Sequence, residues 1–285
     1  MVSPSWRRKA VQHLVRHFHV SVRRACRVLG QHRSTQTYEA VPADYQLRLV
    51  KRMNELAAAH PKYGYRIVAN LLQAEGWKVN KKRVARLWRL ERNQVPPKRK
   101  SHPTTRARGA SINAAWRLRA QHPNHIWGMD FMSGKTTKAG AIRILNIVCE
   151  FTREALGCRV DIHLGTTEVI AELEKAFAKY GKPKIIRVDN GREFIAVALK
   201  HWLTERGVSL IHIEKGKPQQ NCYVERYNGT MRSEVLDVED FDTVLEARVV
   251  LSEWAFESYN TKRPHRGHGM MTPRQFADHW KVGRR

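Results

Sequence analysis

Apolar side chains recur at helical spacing through the amino-terminal third of the chain. In residues 6–40, a first apolar run that includes Val11 and Phe18 is followed by a second run that ends at Gly30, a typical helix end. Residues 44–92 contain three further runs of the same spacing. Because residues three and four apart share one face of a helix, the pattern predicts a small helical, helix-turn-helix-like module over 1–42 and a three-helix unit over 43–92.

From residue 126 onward, the spacing of apolar residues becomes that of β-strands. Five short apolar runs predict strands at residues 127–132, 142–151, 155–162, 185–188 and 210–213. Helical patterns follow or separate them at 167–180, 195–206 and 223–236, and Thr243 is a candidate N-cap for another long helix. The pattern therefore predicts an α/β core over 125–240 and a helical extension over 241–285, with an exposed basic loop at 260–267.

Between the two regions, residues 93–124 have the composition of a linker. Pro96, Pro97 and Pro103 stand among many polar and basic residues, which disfavours a packed element. A short helix is predicted only within 111–120. The basic side chains of this linker are suited to follow a DNA strand between two domains.

Charge is distributed very unevenly along the chain. Residues 1–125 contain 27 basic and 5 acidic residues, so they supply +22 of the total net charge of +26. A field of this strength attracts a polyanion, and nucleic acid is the main candidate. A membrane surface is a weaker alternative, which charge alone leaves open.

The third helix of the 43–92 unit concentrates this charge at its start. Asn80 is a candidate N-cap, and Lys81, Lys82 and Arg83 open the helix, with Arg86 one turn later. Cations are unfavourable beside the positive end of a helix dipole, but they are well placed to meet phosphate, as in the recognition helix of a helix-turn-helix domain. A solvated basic face is the alternative.

Several classes of protein do not fit the sequence. No apolar run is long enough for a transmembrane helix and the amino terminus lacks an apolar secretory core, so we expect a cytoplasmic protein, associated with the nucleoid. The four cysteines form no Cys-x-x-Cys pair and are expected to be free thiols. His13 and His17 have metal-ligand spacing, but without such a pair we interpret them as polar-face histidines.

Three carboxylates stand at notable points of the predicted core. Asp130 lies in a short apolar strand, Asp189 directly follows another, and Glu225 falls in the first turns of a helix. Carboxylates that converge repel one another unless a cation lies between them. Two Mg²⁺ or Mn²⁺ ions about 4 Å apart, held by such oxygens, suit chemistry on a phosphodiester. Any one of these acids, taken alone, is better explained by a structural role than by a catalytic one.

The residues around these acids carry a family resemblance. The segments WGMDF, VDNGREF and GKPQQNCYVERYN resemble the DDE integrase core of bacterial insertion-sequence transposases, which is related to retroviral integrases. The resemblance is nearest to the second-reading-frame product of two-frame insertion sequences and covers almost the whole chain. It implies a ribonuclease H-like mixed five-stranded sheet with helices, preceded by small all-α helix-turn-helix domains.

The resemblance also implies an activity and a site. The chain would bind the ends of its element, cut DNA with metal ions bound by Asp130, Asp189 and Glu225, and transfer the freed strand into target DNA. Two positions depart from the family pattern, Arg192 and Cys222, and they leave the shape of the nearby loops open. Predicted DNA contacts near the acids are Asn190, Lys217, Asn221, Asn228 and Arg232, the last matching a basic residue of the family.

Two alternatives remain at this point. The chain has no sustained heptad pattern, so the coiled-coil segment that the family places in front is expected to be missing. The protein would then be a non-catalytic DNA-binding remnant or a repressor of transposition, or would need the upstream reading-frame product as a partner. A structure-selective nuclease of the same fold is the other alternative. Whichever interpretation holds, the expected partners of the protein are DNA and, on DNA, further copies of the same chain. No membrane is expected among them.

Overall fold

Three short helices form the first part of the chain in a computed structural model that describes residues 4–37, 44–95, 118–214 and 218–283. They are α1 (Pro4–Phe18), α2 (Val22–Val28) and α3 (Arg33–Thr37). Val11, Ala25 and Cys26 form their small core, and the chain leaves α2 through Gly30 in the left-handed conformation, as its sequence predicts. These helices belong to the first of two compact units, residues 1–52 and 53–285.

The next three helices are α4 (Asp44–Ala59), α5 (Tyr65–Ala74) and α6 (Lys81–Leu90). Helix α6 begins where the sequence predicts, because the side chain of Asn80 accepts a hydrogen bond of 2.8 Å from the Lys82 N–H. Val84, Leu87 and Trp88 form the buried stripe of α6 and leave the basic residues on its other faces. The predicted three-helix pattern is therefore present. The predicted domain bounds stay predictions.

A mixed sheet of five strands organises the core. Its strands are β1 (Ile126–Thr136), β2 (Gly140–Cys149), β3 (Ala155–Asp161), β4 (Ile185–Val188) and β5 (Ser209–His212), in the spatial order β3-β2-β1-β4-β5. Strand β2 is antiparallel to both of its neighbours, β1 and β3, whereas β4 runs parallel to β1 and β5 runs parallel to β4. The predicted fold class is confirmed.

Helices cover both faces of this sheet. They are α7 (Thr166–Tyr180), α8 (Arg192–Ile195), α9 (Val197–Glu205), α10 (Cys222–Met231), α11 (Val244–Glu253) and α12 (Pro273–Val282), with π-helical segments at Arg232–Leu236 and Trp254–Lys262. One apolar core joins Trp127 and Met129 to α7 and α9. A second core, on the opposite face, joins Ile142 and Ile144 to α10 and α11. Such two-sided burial explains why several strands are almost continuously apolar.

Some predicted elements differ from the observed ones. Strand β1 extends four residues further than predicted, to Thr136, because it pairs with β2 along its whole length. The helix predicted at 195–206 is two helices, α8 and α9, which meet at Ala196. The helix predicted at 223–236 changes from α to π geometry at Arg232. Most of the helix predicted within 111–120 lies outside the described residues.

The prediction of an exposed basic loop at 260–267 is wrong for half of these residues, which are buried or half-buried. Asn260 is buried, and its amide both donates to and accepts from the backbone of Ala155 at 2.9 and 2.8 Å. Arg263 is largely buried beside Glu234, with which it forms an ion pair at 2.8 Å. These polar groups are hidden because their partners lie in distant elements, which sequence polarity does not reveal.

Two further expectations from composition can be compared with the structure. All four cysteines are free, and Cys26, Cys149 and Cys158 are buried. Over the described stretches of the chain, every helix is too short or too polar to cross a bilayer.

A buried ion pair ties β4 to the elements around it. The guanidinium of Arg187 is 2.6 Å from the carboxylate of Glu150, and both side chains are almost wholly removed from solvent. Arg187 also donates to the carbonyl oxygens of Leu118 and Gln220, at 2.8 and 3.3 Å. The pair therefore links the end of the linker, the sheet and the turn that leads into α10.

The replacement Glu150→Gln should destabilise the protein by about 3–5 kcal/mol, because it leaves the buried charge of Arg187 without its counter-charge. Urea unfolding of both proteins would measure the loss. The control is Asp161→Asn, which weakens an exposed pair with Arg248 and should cost less than about 1 kcal/mol. A loss for Glu150→Gln as small as that of the control would mean that the two carbonyl groups suffice to compensate Arg187.

Candidate active site

Asp130 lies near the middle of β1, on the face of the sheet that α10 covers. Alternate residues of a strand point to opposite faces, and Met129 belongs to the core beneath α7 and α9. The residues on either side of Met129, Gly128 and Asp130, point to the opposite face and approach α10. A β-carbon built on Gly128 would come within 3.5 Å of Val224. Asp130 is half-buried there.

Asp189 follows the last residue of β4. The parallel pairing of β1 and β4 sets Gly128 beside Arg187, and continuing that register by two residues brings Asp130 beside Asp189. The chain turns immediately afterwards, and the Gly191 N–H donates to the Asp189 carboxylate at 3.1 Å. This Asx-type turn holds Asp189 at the carboxyl end of its strand.

Glu225 reaches the same place from α10. The amide of Asn221, at the start of this helix, donates to the carbonyl oxygen of Met129 at 3.1 Å. The approach is possible because Gly128 has no side chain: a β-carbon there would lie 3.2 Å from the Asn221 side-chain oxygen. Glu225, in the first turn of α10, stays exposed above the strand.

The surroundings of Asp130 disfavour its ionised form. Burial raises the pKa of Asp130 to about 7, and the negative charges of Asp189 and Glu225 add to this effect. The hydrogen bond from Asn228 acts in the opposite direction on the pKa of Asp130. Partial burial also raises the pKa of Glu225. The structure thus brings Asp189 and Glu225 within electrostatic range of Asp130, although the catalytic role of the three acids remains a prediction.

A buried pair of asparagines orients Asp130. Asn228 donates to the Asp130 carboxylate at 2.9 Å, and Asn146 donates to the side-chain oxygen of Asn228 at 2.7 Å. Asn146 is directly opposite Asp130 in the β1–β2 pairing and is fully buried. Sequence analysis missed Asn146, although a single amide inside an otherwise apolar strand is a signal of a buried polar contact.

A second ion pair supports the turn that carries Asp189. Arg143, on β2, pairs with Glu193 of α8 at 2.5 Å and also donates to the carbonyl oxygen of Leu164 at 2.9 Å. Its guanidinium lies 4.2 Å from the ring centre of Phe131. The Arg143 hydrogen bond lowers the pKa of Glu193, so Glu193 remains ionised and attached. Neither residue stood out in the sequence.

The predicted DNA contacts near the acids have mixed positions. Asn221 and Asn228 are buried and use their amides within the protein, so the structure does not support direct DNA contacts by them. Asn190 is exposed and donates to the Ile213 carbonyl oxygen at 2.9 Å. Arg232 is exposed and donates to the Ser133 carbonyl oxygen at 2.9 Å. Lys217 lies outside the described residues.

The basic residues predicted on α6 are mainly on the surface. Lys81, Lys82 and Arg86 are exposed, whereas Arg83 is half-buried. The side chains of Lys81, Lys82 and Arg86 are therefore accessible to a nucleic acid.

The carboxylates have the donor chemistry for a hard divalent cation, since oxygen ligands suit Mg²⁺. Within the described ranges, however, no three acidic, histidine or cysteine side chains are arranged closely enough to hold an ion as they stand. Burial raises the pKa of Asp130, and the charges of Asp189 and Glu225 raise it further; a cation at this place would relieve that second contribution.

Comparison with protein families gives three matches along the chain. A model of an integrase core domain matches residues 120–218, a second integrase core domain model matches 206–273, and an HTH-like domain matches 44–101. Together they span both the helical and the α/β regions, including all three acids.

The chain also resembles several curated proteins. An uncharacterized 39.2 kDa protein of insertion element IS476 from Xanthomonas euvesicatoria is 34% identical, over 99% of this chain and 79% of that one. An uncharacterized 31.7 kDa protein of insertion element IS407 from Burkholderia multivorans is 35% identical, over 90% and 91%. A transposase for IS904 from Lactococcus lactis is 25% identical, over 75% and 87%.

Among solved structures, the catalytic core domain of HTLV-2 integrase in complex with magnesium overlaps 56% of this chain and 99% of that one, with a TM-score of 0.45 and 21% identity.

The raised pKa of Asp130 predicts a pH-dependent loss of stability in metal-free protein. The folded pKa, about 7, exceeds the ordinary value of 3.8, so the protonated form stabilises the fold below about pH 4, and this contribution is lost as the pH rises through 7. Asp130→Asn should therefore gain stability relative to wild type from pH 5 to pH 8, by roughly 1–2 kcal/mol after allowance for solvent screening. Thermal melts with EDTA across this pH range would measure it; a difference independent of pH would contradict a raised pKa of Asp130 in the folded protein.

Proposed function

Because the chain belongs to the insertion-sequence transposases that carry an integrase core domain, we propose that it is a catalytically active DNA transposase. It binds the ends of its element, cuts DNA there in a metal-dependent reaction, and joins the freed strand to target DNA. The observation that supports this most directly is that the β1–β4 register sets Asp130 beside Asp189 and that the charges of Asp189 and Glu225 both act on the carboxyl group of Asp130.

In this proposal, Asp130 and Asp189 would hold one divalent ion and Glu225 would complete a second site. Two ions of Mg²⁺ or Mn²⁺ would neutralise charge on the scissile phosphate and steady the attacking and leaving oxygens. The protein contributes the positions of the ligands. Asn228 orients the Asp130 carboxylate, and the Gly191 N–H holds the Asp189 carboxylate. The hydrogen bond from Asn221 to the β1 backbone fixes the distance between β1 and the first turn of α10, which carries Glu225.

The reaction has two chemically similar steps. First, water attacks the phosphorus at the end of the element, the bond from phosphorus to the 3′ oxygen breaks, and a 3′-hydroxyl is released. That hydroxyl then attacks a phosphodiester of the target, forms a new bond to phosphorus and displaces the 3′ oxygen of the target strand. No protein side chain becomes covalently attached in either step, so positioning and charge neutralisation are the main tasks of the site.

DNA recognition falls to the basic amino-terminal region. Residues 1–125 carry a net +22, and α6 presents Lys81, Lys82 and Arg86 to solvent. The first turns of such a helix can lie in the major groove with their cations near phosphate. Joining one element to a target requires two ends, so we propose that copies of this chain assemble on DNA, in the cytoplasm and in association with the nucleoid.

Asp189→Asn tests the catalytic part of the proposal. Cleavage and strand transfer of end-containing DNA with Mg²⁺ or Mn²⁺ should fall to background, because a metal ligand is lost. Affinity for the same DNA should stay within about twofold or rise slightly, because a negative charge is removed. Gel assays of cleavage and joining, together with fluorescence anisotropy for binding, would measure both effects.

The matched control for this experiment is Asp161→Asn, another aspartate at the end of a strand, which pairs with Arg248 on the surface. It should retain full activity. Cleavage retained by Asp189→Asn would refute the assignment. Wild-type protein that binds ends tightly but cuts them only with the upstream reading-frame product, or never, would make the chain a DNA-binding component. Cutting of branched DNA without joining would make it a structure-selective nuclease.

A further inference from the structure

A basic groove lies between helices α5 and α6 and a turn of the carboxyl-terminal region that contains Arg266. Its volume is about 550 Å³. The side chains of five basic residues line it, namely Arg66, Lys81, Lys82, Arg89 and Arg266. None of the described residues at its walls is acidic, so the groove has a strong positive potential without internal compensation.

The helical wall of this groove comes from the starts of α5 and α6 and from the exposed side of α6. Arg66, Lys81 and Lys82 belong to first turns, and neither of these turns contains an acidic residue. Arg66, Lys82 and Arg89 are exposed. The positive ends of two helix dipoles are therefore directed at the same region as the cations, an arrangement that is unfavourable by itself and favourable around an anion.

The opposite wall is a short turn, Arg266–His268, which follows the second π-helical segment. Two backbone hydrogen bonds close it, from the Met270 N–H to the His265 carbonyl oxygen at 2.9 Å and from the His265 N–H to the Met271 carbonyl oxygen at 3.0 Å. Gly269 provides the left-handed conformation that the turn needs. The backbone that carries Arg266 is thus well defined.

The turn is also anchored to the core. His268 is buried, stacks on Phe276 with ring centres 3.9 Å apart, and is 3.1 Å from the carbonyl oxygen of Thr152. Arg263, just before the turn, is held by Glu234. Arg266 differs from both because it is exposed and directed into the groove. A preorganised backbone lowers the ordering cost of a contact made by this side chain.

Histidines contribute little to the charge of the turn near neutral pH. Burial lowers the pKa of His265 to about 3 and that of His268 to about 4, and nearby arginine charges add to the effect. The positive charge at the groove therefore comes from lysine and arginine.

We propose that this groove binds the sugar-phosphate backbone of duplex DNA, and that Arg266 contacts a phosphate of the same duplex that α6 engages. The inference rests on the proposed DNA binding and extends it to a residue of the carboxyl-terminal region. Duplex DNA carries one charge per about 1.7 Å of its axis, which matches a surface that offers several cations side by side. One duplex would then bridge the helix-turn-helix helices and the turn beside the catalytic core.

Single charge removals in the full-length protein test this. Arg266→Gln and Lys82→Gln should each weaken binding of a 30-base-pair duplex by about 3–10-fold near 100 mM salt, and each should reduce the slope of log K against log salt by about one. Arg266→Lys should restore most of the affinity, because it returns the charge. The matched control is Lys200→Gln, which removes the same charge from an exposed site on α9 outside the groove and should change affinity less than twofold.

The outcomes separate the two levels of the argument. If wild-type protein does not bind DNA, the proposed function fails as well. If Lys82→Gln weakens binding and Arg266→Gln behaves like Lys200→Gln, the helices bind DNA without the turn and the inference is wrong while the proposed function stands. Thermal melts of each variant should match wild type, because the replaced side chains are exposed.

A crosslinking experiment gives an independent readout. A photoreactive amino acid in place of Met270, which lines the groove without charge, should capture the duplex. The same group in place of Leu245, an exposed residue on α11, should not. Equal capture at both positions would overturn the assignment of the groove.

Discussion

The close packing of α10 on β1 is the contact on which the candidate site depends. Gly128 leaves the space that lets Asn221 reach the β1 backbone, and Val224 packs directly above it. With the helix at that distance, Asn228 reaches the Asp130 carboxylate and Glu225 stands above the strand. A β-carbon at position 128 would lie 3.2 Å from the Asn221 side-chain oxygen, so this contact between α10 and β1 would have to adjust by a few tenths of an ångström.

The site is costly in electrostatic terms, and the surrounding structure offsets that cost. Burial and the repulsion from Asp189 and Glu225 oppose the ionisation of Asp130 and raise its pKa. Fixed partners hold the elements that carry them: Arg187 with Glu150 beneath β4, and Arg143 with Glu193 beyond the Asp189 turn. Both pairs are partly or wholly shielded from water, where an ion pair is firm only if its hydrogen bonds are complete. The same repulsion that weakens the metal-free fold would favour a divalent cation, so stability and function are opposed here.

Net charge also differs between the two regions of the chain. Residues 126–285 are nearly balanced, with 25 basic and 21 acidic residues, whereas the amino-terminal region is strongly cationic. In the proposed function, a long-range attraction of that kind would bring DNA to the protein without orienting it. Orientation needs cations on a rigid backbone. Helix α6, with its Asn80 cap, and the turn at Arg266, held through His268, both provide such a backbone.

The sequence by itself determined the order and type of nearly all elements and singled out three acids on them, because periodicity and strand-end turns are visible within a few neighbouring residues. Only the tertiary structure decided which polar groups are buried. Asn228 and Asn260 look like surface residues in the sequence, yet each is hydrogen-bonded to a strand about a hundred positions away. Arg266 likewise joins the basic groove through folding alone. The burial and the hydrogen-bond partner of a polar side chain depend on which distant segment packs against it. The neighbouring residues in the sequence do not determine that packing.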